Sequence, residues 1–373
     1  MIERILKDRI NNGLNTGKAI IILGARQVGK TTLLESIFKE YDNVIILNGD
    51  EPDNREMLSE VSSKQLALLF GNAKYVIIDE AQMIPDVGIT LKLITDRLKN
   101  INLIVSGSSS LDLANKINEP LTGRKLEYRM FPLSFSEMST HHGVLEEKRM
   151  LFHRLIYGYY PDIVTTQGQE KRLLKNLAGS YLYKDILSFG NIQRPVVLDK
   201  LLKALALQVG SEVSFNELSK TVGADKETVE RYINLLEKAF IIFKLDAFSR
   251  NVRNELKKSK KIYFYDNGIR NAVIGNFQNF DLRIDKGALW ENFIISERIK
   301  YLNYNEFYGS YYFWRTTQQQ EIDFIEEIDG KIYAYEFKLN TKKRVKFPKT
   351  FLNNYQVHET LVVTPGNIES FIL

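Results

Sequence analysis

The chain has 373 residues, 51 Lys and Arg against 46 Asp and Glu, a formal net charge of +5 and no cysteine. This length predicts two or three domains, and the lack of cysteine excludes disulfides and thiolate metal sites. The charged start is not typical of a signal peptide, and no apolar run approaches the roughly 18 residues of a membrane span. We therefore expect a cytoplasmic protein with no membrane partner; the mildly basic charge permits nucleic-acid binding without requiring it.

The first pattern with chemical meaning lies near the N-terminus. Residues 19–23 (AIIIL) predict a buried strand, residues 24–31 (GARQVGKT) match G-x-x-x-x-G-K-[ST], and residues 32–38 predict an amphipathic helix. Strand, glycine-rich loop and helix form the context in which this pattern binds nucleotide phosphates. Within it, Lys30 would reach the β- and γ-phosphates of ATP, and Thr31 would bind Mg²⁺.

A second strand, residues 74–78, ends in the carboxylates Asp79 and Glu80. In phosphate-loop proteins such an aspartate holds Mg²⁺, and a glutamate directly after it can polarise the attacking water. A third strand, residues 102–105, leads into a serine-rich segment in which Ser108 would sense the γ-phosphate; alternatively, the serines only cap the next helix. Alternating strands and helices predict a parallel sheet with the ligand at the carboxyl ends of its strands.

Two arginines complete the predicted nucleotide site. Arg124 would contact a phosphate in cis or in trans, or would form a surface ion pair instead. Arg26, inside the loop, would form a local salt bridge or face a neighbouring subunit of a homo-oligomer. The residues predicted to contact the nucleotide are Gly24, Arg26, Gln27, Val28, Gly29, Lys30, Thr31, Thr32, Asp79, Ser108 and Arg124.

These motifs, together with the LTGR and FPLSF segments at 121–124 and 131–135, resemble bacterial and archaeal AAA-type ATPases, which belong with the signal-transduction ATPases of the AAA+ superfamily. The resemblance spans nearly the whole chain. It implies ATP binding and a C-terminal domain that is nuclease-like.

The middle of the chain is predicted to be helical. Leucines at helical spacing between 145 and 190 predict a lid, and helix, turn, helix and strand between 195 and 250 follow the winged-helix order. Residues 226–238 would form its recognition helix. Three of the outward residues of that helix, Glu227, Glu230 and Glu237, would be repelled by phosphates, which favours a structural role over DNA binding.

A hairpin is predicted near the C-terminus, where Asp329-Gly330 separates two strand-like runs. A two-residue turn places Ile328 opposite Lys331, and therefore Asp323 opposite Glu336 and Glu321 opposite Lys338. Two opposed carboxylates need a compensating charge, such as a divalent cation. A metal-bound water beside Lys338 would suit phosphodiester hydrolysis, whereas an exposed strand face with Glu and Lys is the simpler interpretation.

The spacing D-x(12)-E-x-K of Asp323, Glu336 and Lys338 resembles the PD-(D/E)xK nucleases, which have a restriction-endonuclease-like fold. The resemblance covers residues 285–345 and adds Glu291 on a preceding helix as an acidic residue of the site. The proline of the family signature is absent, since Ile322 precedes Asp323. Basic runs at 257–261 and 342–346 and aromatic residues at 308–314 would help to hold a DNA backbone.

We therefore predict an α/β protein with four parts: a P-loop AAA+ ATPase core (1–140), a helical lid (141–194), a winged helix (195–250) and a restriction-endonuclease-like domain (251–373). The expected cofactors are ATP and Mg²⁺, and DNA is a candidate partner. The catalytic residues would be Glu80, Asp323, Glu336 and Lys338. The metal ligands would be Thr31, Asp79, Glu291, Asp323 and Glu336. The alternative is a nucleotide-dependent signalling or defence switch whose C-terminal domain is inactive.

Overall fold

A computed structural model describes residues 1–107, 117, 119–181, 192, 194–249, 260–340 and 345–373. The chain divides into two compact units. The described residues of Met1–Leu133, with Lys238–Phe240, belong to the first, and those of Ser134–Leu187, Asn191–Glu237 and Ile241–Leu373 belong to the second. Within these ranges, no helix combines the length and the apolar character that crossing a membrane requires.

The first unit is built around a parallel five-stranded sheet in the order β2-β3-β4-β1-β5. Its strands are β1 (Ala19–Leu23), β2 (Val44–Asn48), β3 (Tyr75–Asp79), β4 (Asn102–Gly107) and β5 (Lys125–Arg129). Its helices are α1 (Leu6–Gly13), α2 (Lys30–Phe38), α3 (Pro52–Leu58), α4 (Ser63–Phe70) and α5 (Val87–Arg97). Every residue of β1 is buried, as expected for a central strand of a sheet that is covered on both faces. The predicted parallel sheet is confirmed.

The second unit begins with short helices. These are α6 (Phe135–His142), α7 (Val144–Arg149), α8 (Leu151–Tyr157), α9 (Pro161–Thr165) and α10 (Glu170–Asn176). They are followed by α11 (Pro195–Leu207), β6 (Glu212–Val213), α12 (Phe215–Val222), α13 (Lys226–Lys238), β7 (Ile242–Asp246), β8 (Lys260–Phe264) and α14 (Asn267–Ile274). Strands β6, β8 and β7 form an antiparallel sheet in that order.

The predicted recognition helix corresponds to α13. Lys244 of β7 donates a hydrogen bond from Nζ to Asn234 Oδ1 at 2.6 Å and pairs with Glu237 Oε2 at 2.7 Å. Asn234 and Glu237 are therefore bound to the neighbouring strand, and they are not free for a phosphate backbone.

The rest of the second unit is a four-stranded sheet in the order β12-β11-β10-β9. Its elements are α15 (Lys286–Tyr304), β9 (Ser310–Arg315), β10 (Glu321–Ile328), β11 (Lys331–Phe337), α16 (Lys349–Asn354), β12 (Val357–Val363) and α17 (Glu369–Ile372). One face packs a core that includes Trp314, Ile325 and Phe351. On the other face, the rings of Phe324, Phe337 and Phe371 pack together. Strands β10 and β11 are thus buried on both faces.

The hairpin register is confirmed for five residue pairs, from Ile328 with Lys331 to Phe324 with Tyr335. The predicted pairs of Asp323 with Glu336 and of Glu321 with Lys338 are not among the paired residues of β10 and β11. On its other side, β10 pairs Glu321 with Arg315 of β9, and the register of these two strands shifts between Ile322 and Ile325. A β-bulge of this kind re-aims side chains locally, and a two-residue turn does not report it.

Candidate functional site

The candidate nucleotide site lies at the carboxyl ends of β1, β3 and β4, which are neighbours in the sheet. The loop between β1 and α2 makes a close approach at Gly24, where an added Cβ would lie 2.2 Å from the carbonyl oxygen of Met130. Gly29 has a φ of +94°, a left-handed conformation that favours glycine, and it leads directly into α2. The loop therefore needs both glycines for steric reasons.

Lys30 is only 4% exposed and donates hydrogen bonds to the carbonyl oxygens of Gly24 and Ala25, at 3.0 and 2.9 Å. The ammonium group is thus held inside the curl of the phosphate loop. A phosphate oxygen bound in this loop would take over one of these bonds, so the lysine is positioned for the role predicted from the sequence.

Asp79, the last residue of β3, links the phosphate loop to the neighbouring strand β4. Its Oδ2 accepts a hydrogen bond from Thr31 Oγ1 at 2.5 Å, and its Oδ1 accepts from the Ser106 hydroxyl and, at 3.0 Å, from the Glu80 N–H. A hydroxyl and a carboxylate that converge beside the loop are ligands that suit Mg²⁺. These residues therefore fit the ion that the sequence predicts.

Glu80 follows Asp79 with a left-handed backbone (φ 49°), which turns the chain at the end of β3. Its Oε2 accepts a hydrogen bond from Gln82 Nε2 at 2.5 Å. The carboxylate is half-buried, and the glutamine fixes its orientation. This arrangement suits a group that orients a water molecule, although such a role stays a prediction.

Two predicted contact residues, Ser108 and Arg124, need comment. Ser108 lies outside the described residues. Arg124 precedes β5 and its carbonyl oxygen accepts from Ala19 N, so it lies at the amino end of the sheet, and the phosphate loop lies at the carboxyl end. Its guanidinium binds Asp96 Oδ1 at 2.7 Å. A phosphate contact of Arg124 in its own chain is therefore wrong; a contact in trans stays a prediction.

The second candidate site is a carboxylate cluster formed by Glu291, Glu321, Asp323 and Glu336. Lys338 Nζ lies 2.7 Å from Glu336 Oε2 and 3.4 Å from Asp323 Oδ2. The backbone N–H of Phe337 also donates to Asp323 Oδ2, at 2.7 Å. The structure thus brings together the three residues of the predicted D-x(12)-E-x-K pattern.

Glu291 is positioned by its neighbour in α15. Asn292 accepts from the backbone N–H of Phe264 at 2.7 Å and donates to its carbonyl at 3.1 Å, which fastens α15 to β8. As a result, Glu291 Oε1 accepts hydrogen bonds from Tyr263 OH at 2.7 Å and from Lys261 Nζ at 3.0 Å. Lys261 Nζ also lies 2.5 Å from Glu321 Oε1.

Burial and mutual repulsion change the acid–base properties of this cluster. Burial, together with the charge of Asp323, raises the pKa of Glu336 to about 7. Burial also raises the pKa of Glu291, against the opposing effect of Lys261. Burial would lower the pKa of Lys261, but the charges of Glu291 and Glu321 outweigh it and the pKa is raised.

The arrangement does not form the predicted metal site of Glu291, Asp323 and Glu336. Among the residues that the structure describes, no group of three or more His, Cys, Asp or Glu side chains is placed to hold a metal ion. The physical reason is the position of the lysines: one ammonium binds Glu291 and another binds Asp323 and Glu336. As placed, the side chains do not fit a divalent cation.

Comparison with known proteins places the phosphate loop within a known domain family. Residues 16–139 match the model of the AAA domain family. The Walker-type ATPase of Pyrococcus abyssi has a similar fold, with a TM-score of 0.51 at 16% identity over 73% of this chain and 96% of that chain. These matches support an AAA-type domain in this part of the chain. Its fold class is α/β with a parallel sheet, and the phosphate loop lies where such proteins bind nucleotide.

The remainder of the chain matches families without an assigned function. Residues 148–279 match a domain of unknown function (DUF8612), and residues 286–372 match another (DUF4143). An uncharacterized protein of Mycobacterium bovis is 24% identical over 96% of this chain and 79% of its own length. One of Haemophilus influenzae is 26% identical over 68% of this chain and 69% of its own length.

Several site residues were missed by sequence reasoning. Arg4, 8% exposed, donates to the carbonyl oxygens of Val28 and Phe131, both at 2.7 Å. Ser106 supports Asp79, and Gln82 supports Glu80. Arg4 has no sequence signal, because it lies 24 residues from the carbonyl it binds in the loop. Ser106 had one: it directly follows the predicted strand 102–105.

The predicted nucleic-acid surface is in part wrong. Lys261, assigned to an exposed basic run, is 1% exposed, and Phe313 and Trp314, assigned to an aromatic surface, are 0% and 6% exposed. These side chains belong to the interior of the second unit because β8 and β9 are packed strands. Residues 257–259 and 342–344 of the two basic runs lie outside the described residues.

Proposed function

We propose that this protein binds and hydrolyses ATP in the site formed by the phosphate loop and Asp79. The observation that carries the proposal is the convergence of Lys30, Thr31 and Asp79, in which Thr31 Oγ1 lies 2.5 Å from Asp79 Oδ2. The AAA domain match supports it. Mg²⁺ held by Thr31 and Asp79 would neutralise charge on the β- and γ-phosphates.

The other residues of the site have separate roles in this proposal. The ammonium of Lys30 would bind the β- and γ-phosphate oxygens, and the loop N–H groups at the start of α2 would bind the remaining phosphate oxygens. Glu80, oriented by Gln82, would orient the water that attacks the γ-phosphate. Ser106 would hold Asp79 in the conformation that faces Thr31.

We propose further that the nucleotide state acts as a switch for the second unit. The order of α11, β6, α12, α13, β7 and β8 supports a winged helix in that unit. The binding of Lys244 by Asn234 and Glu237 favours a structural role for this winged helix over DNA reading. In this scheme the carboxylate cluster is part of a module that binds a partner rather than cuts it.

A second candidate function is cleavage of DNA by the second unit. It is favoured by the convergence of Asp323, Glu336 and Lys338 on two adjacent strands. It is opposed by Lys261, which lies outside the pattern and already binds Glu291 and Glu321. Incubating the protein with linear, circular and branched DNA, with Mg²⁺ or Mn²⁺, beside Asp323→Ala would decide: cleavage lost in the variant would establish the nuclease.

The nucleotide site is tested by calorimetric titration of ATP into nucleotide-free protein, with and without Mg²⁺. We expect wild type to bind ATP and Lys30→Ala to lose at least tenfold in affinity. Lys39→Ala is the matched control, because Lys39 is an exposed lysine at the other end of α2. Equal affinity of wild type and Lys30→Ala would remove the proposal.

A further inference from the structure

Lys261 is a buried cation in the middle of the carboxylate cluster. It is 1% exposed, and its Nζ lies 3.0 Å from Glu291 Oε1 and 2.5 Å from Glu321 Oε1. Its Nζ also lies 5.5 Å from the ring centroid of Phe313. A buried ammonium persists only when it is paired with anions. Glu291 and Glu321 meet that requirement, so the Lys261 ammonium keeps its charge although it is buried.

The backbone holds this lysine in place. Lys261 lies in β8, the central strand of the three-stranded sheet, and is paired with Leu245 of β7 and Glu212 of β6. Tyr263 lies two residues further along β8, so it is on the same face of the sheet. Its hydroxyl binds the same oxygen of Glu291 that Lys261 binds. The backbone of Lys261 is therefore fixed by both neighbouring strands, and its ammonium is held by burial and by the two glutamates.

The four carboxylates of the cluster form two pairs, and each pair binds one lysine. Lys261 binds Glu291 and Glu321, and Lys338 binds Asp323 and Glu336. Two ammonium groups carry the same charge as one divalent cation. Each ammonium already contacts one oxygen of each of its two carboxylates. A divalent cation brought into the cluster would be repelled by both lysines.

We propose that Lys261 is the counter-ion of the carboxylate cluster. Its ammonium neutralises carboxylates that a metal ion would otherwise neutralise, so the cluster binds no divalent cation while Lys261 is present. The inference is independent of ATP hydrolysis in the first unit. It separates this cluster from the metal site that the sequence pattern predicted, and it makes Lys261 a positioning residue for Glu291 and Glu321.

The test uses thermal unfolding of the full chain at increasing Mn²⁺. The parent protein carries Asp79→Asn, which removes the carboxylate of the nucleotide site. We expect Mn²⁺ to leave the melting temperature of the parent unchanged. Lys261→Met should melt several degrees lower without metal, because Glu291 and Glu321 lose their counter-ion, and Mn²⁺ should restore part of that loss.

Two controls accompany the variant. Lys261→Arg keeps the charge and should respond to Mn²⁺ as the parent does. Lys260→Met removes the neighbouring lysine, which pairs with Asp246 on the other side of the strand, and should show no metal response. A Mn²⁺-dependent stabilisation of Lys261→Met that Asp323→Asn abolishes would support a metal position at the cluster that Lys261 normally fills.

If Lys261→Met does not fold, Mn²⁺ binding to the parent alone decides. Electron paramagnetic resonance measures the free Mn²⁺ in a titration of the protein, and the difference from the total gives the number of bound ions per chain. No bound ion, or a bound ion that Asp323→Asn leaves in place, supports the proposal. One tightly bound Mn²⁺ per chain that is lost in Asp323→Asn would overturn it. ATP binding by the Lys261 variants in the otherwise wild-type chain, measured separately, shows whether the first unit remains intact.

Discussion

The phosphate loop depends on an arginine that lies outside the nucleotide motif. The Arg4 guanidinium donates to the carbonyl oxygens of Val28, inside the loop, and Phe131, each at 2.7 Å. Val28 is 0% exposed and Phe131 is 2% exposed. Arg4→Met keeps most of the apolar chain of the side chain and removes the guanidinium. Leaving the buried Val28 carbonyl without this donor costs about 1–3 kcal/mol, so the change should lower the free energy of unfolding of the first unit by about 1–3 kcal/mol.

The same change should weaken nucleotide binding. Val28 directly precedes Gly29 and Lys30, so a loosened carbonyl moves the groups that would face the phosphates. If about 1.4 kcal/mol of the lost stability reduces the free energy of ATP binding, the Kd for ATP rises about tenfold. Urea denaturation reports the stability, and a fluorescent ATP analogue reports the affinity.

The control for Arg4→Met is Arg97→Met, an exposed arginine in the last turn of α5. We expect that control to change stability by less than about 0.5 kcal/mol and to leave affinity unchanged. An Arg4→Met protein with wild-type urea midpoint and ATP affinity would refute the reasoning that the guanidinium holds the loop.

Three further expectations follow from particular contacts. Because burial and Asp323 raise the pKa of Glu336 from 4.5 to about 7, the folded state binds this proton more tightly than the unfolded state, and stability should fall as pH rises through that window. The loss is up to about 3 kcal/mol, and Glu336→Gln should flatten the melting profile between pH 5 and 8; a profile parallel to that of wild type would contradict this. Gly24→Ala should abolish ATP binding, since its Cβ would lie 2.2 Å from Met130 O. Gly287→Ala is the control, because Gly287 has open space around its Cβ position and, like Gly24, no left-handed backbone; wild-type binding by Gly24→Ala would show that the loop can move. Arg124→Ala should change the ATP affinity of the monomeric chain less than twofold, because Arg124 lies at the amino ends of the strands and the phosphate loop lies at their carboxyl ends. A larger loss of affinity in dilute protein would contradict that placement.

The sequence predicted the nucleotide site well because its parts are local. A glycine loop between a strand and a helix, and a strand that ends in Asp79, fix most of the geometry through the backbone. The hairpin at Asp329-Gly330 was equally local, and five of its residue pairs followed from the turn alone.

The features that sequence reasoning missed depend on distant contacts. Arg4 contacts a carbonyl 127 residues away, at Phe131, and no pattern signals it. Lys261 stood in a run of lysines that is typical of an exposed surface, but β8 is a central strand and carries it inside. Glu321 binds Lys261, a residue 60 positions earlier in the chain, and the two-residue turn gives no signal of that contact.

The measurement that tests the central claim most directly is steady-state phosphate release from ATP with Mg²⁺. Wild type would be compared with Lys30→Ala and with Lys39→Ala, all purified in the same way to reveal any contaminating ATPase. The account predicts hydrolysis by wild type and Lys39→Ala that is lost in Lys30→Ala. Hydrolysis that persists in Lys30→Ala at the wild-type rate, or no hydrolysis by any of the three, would contradict it.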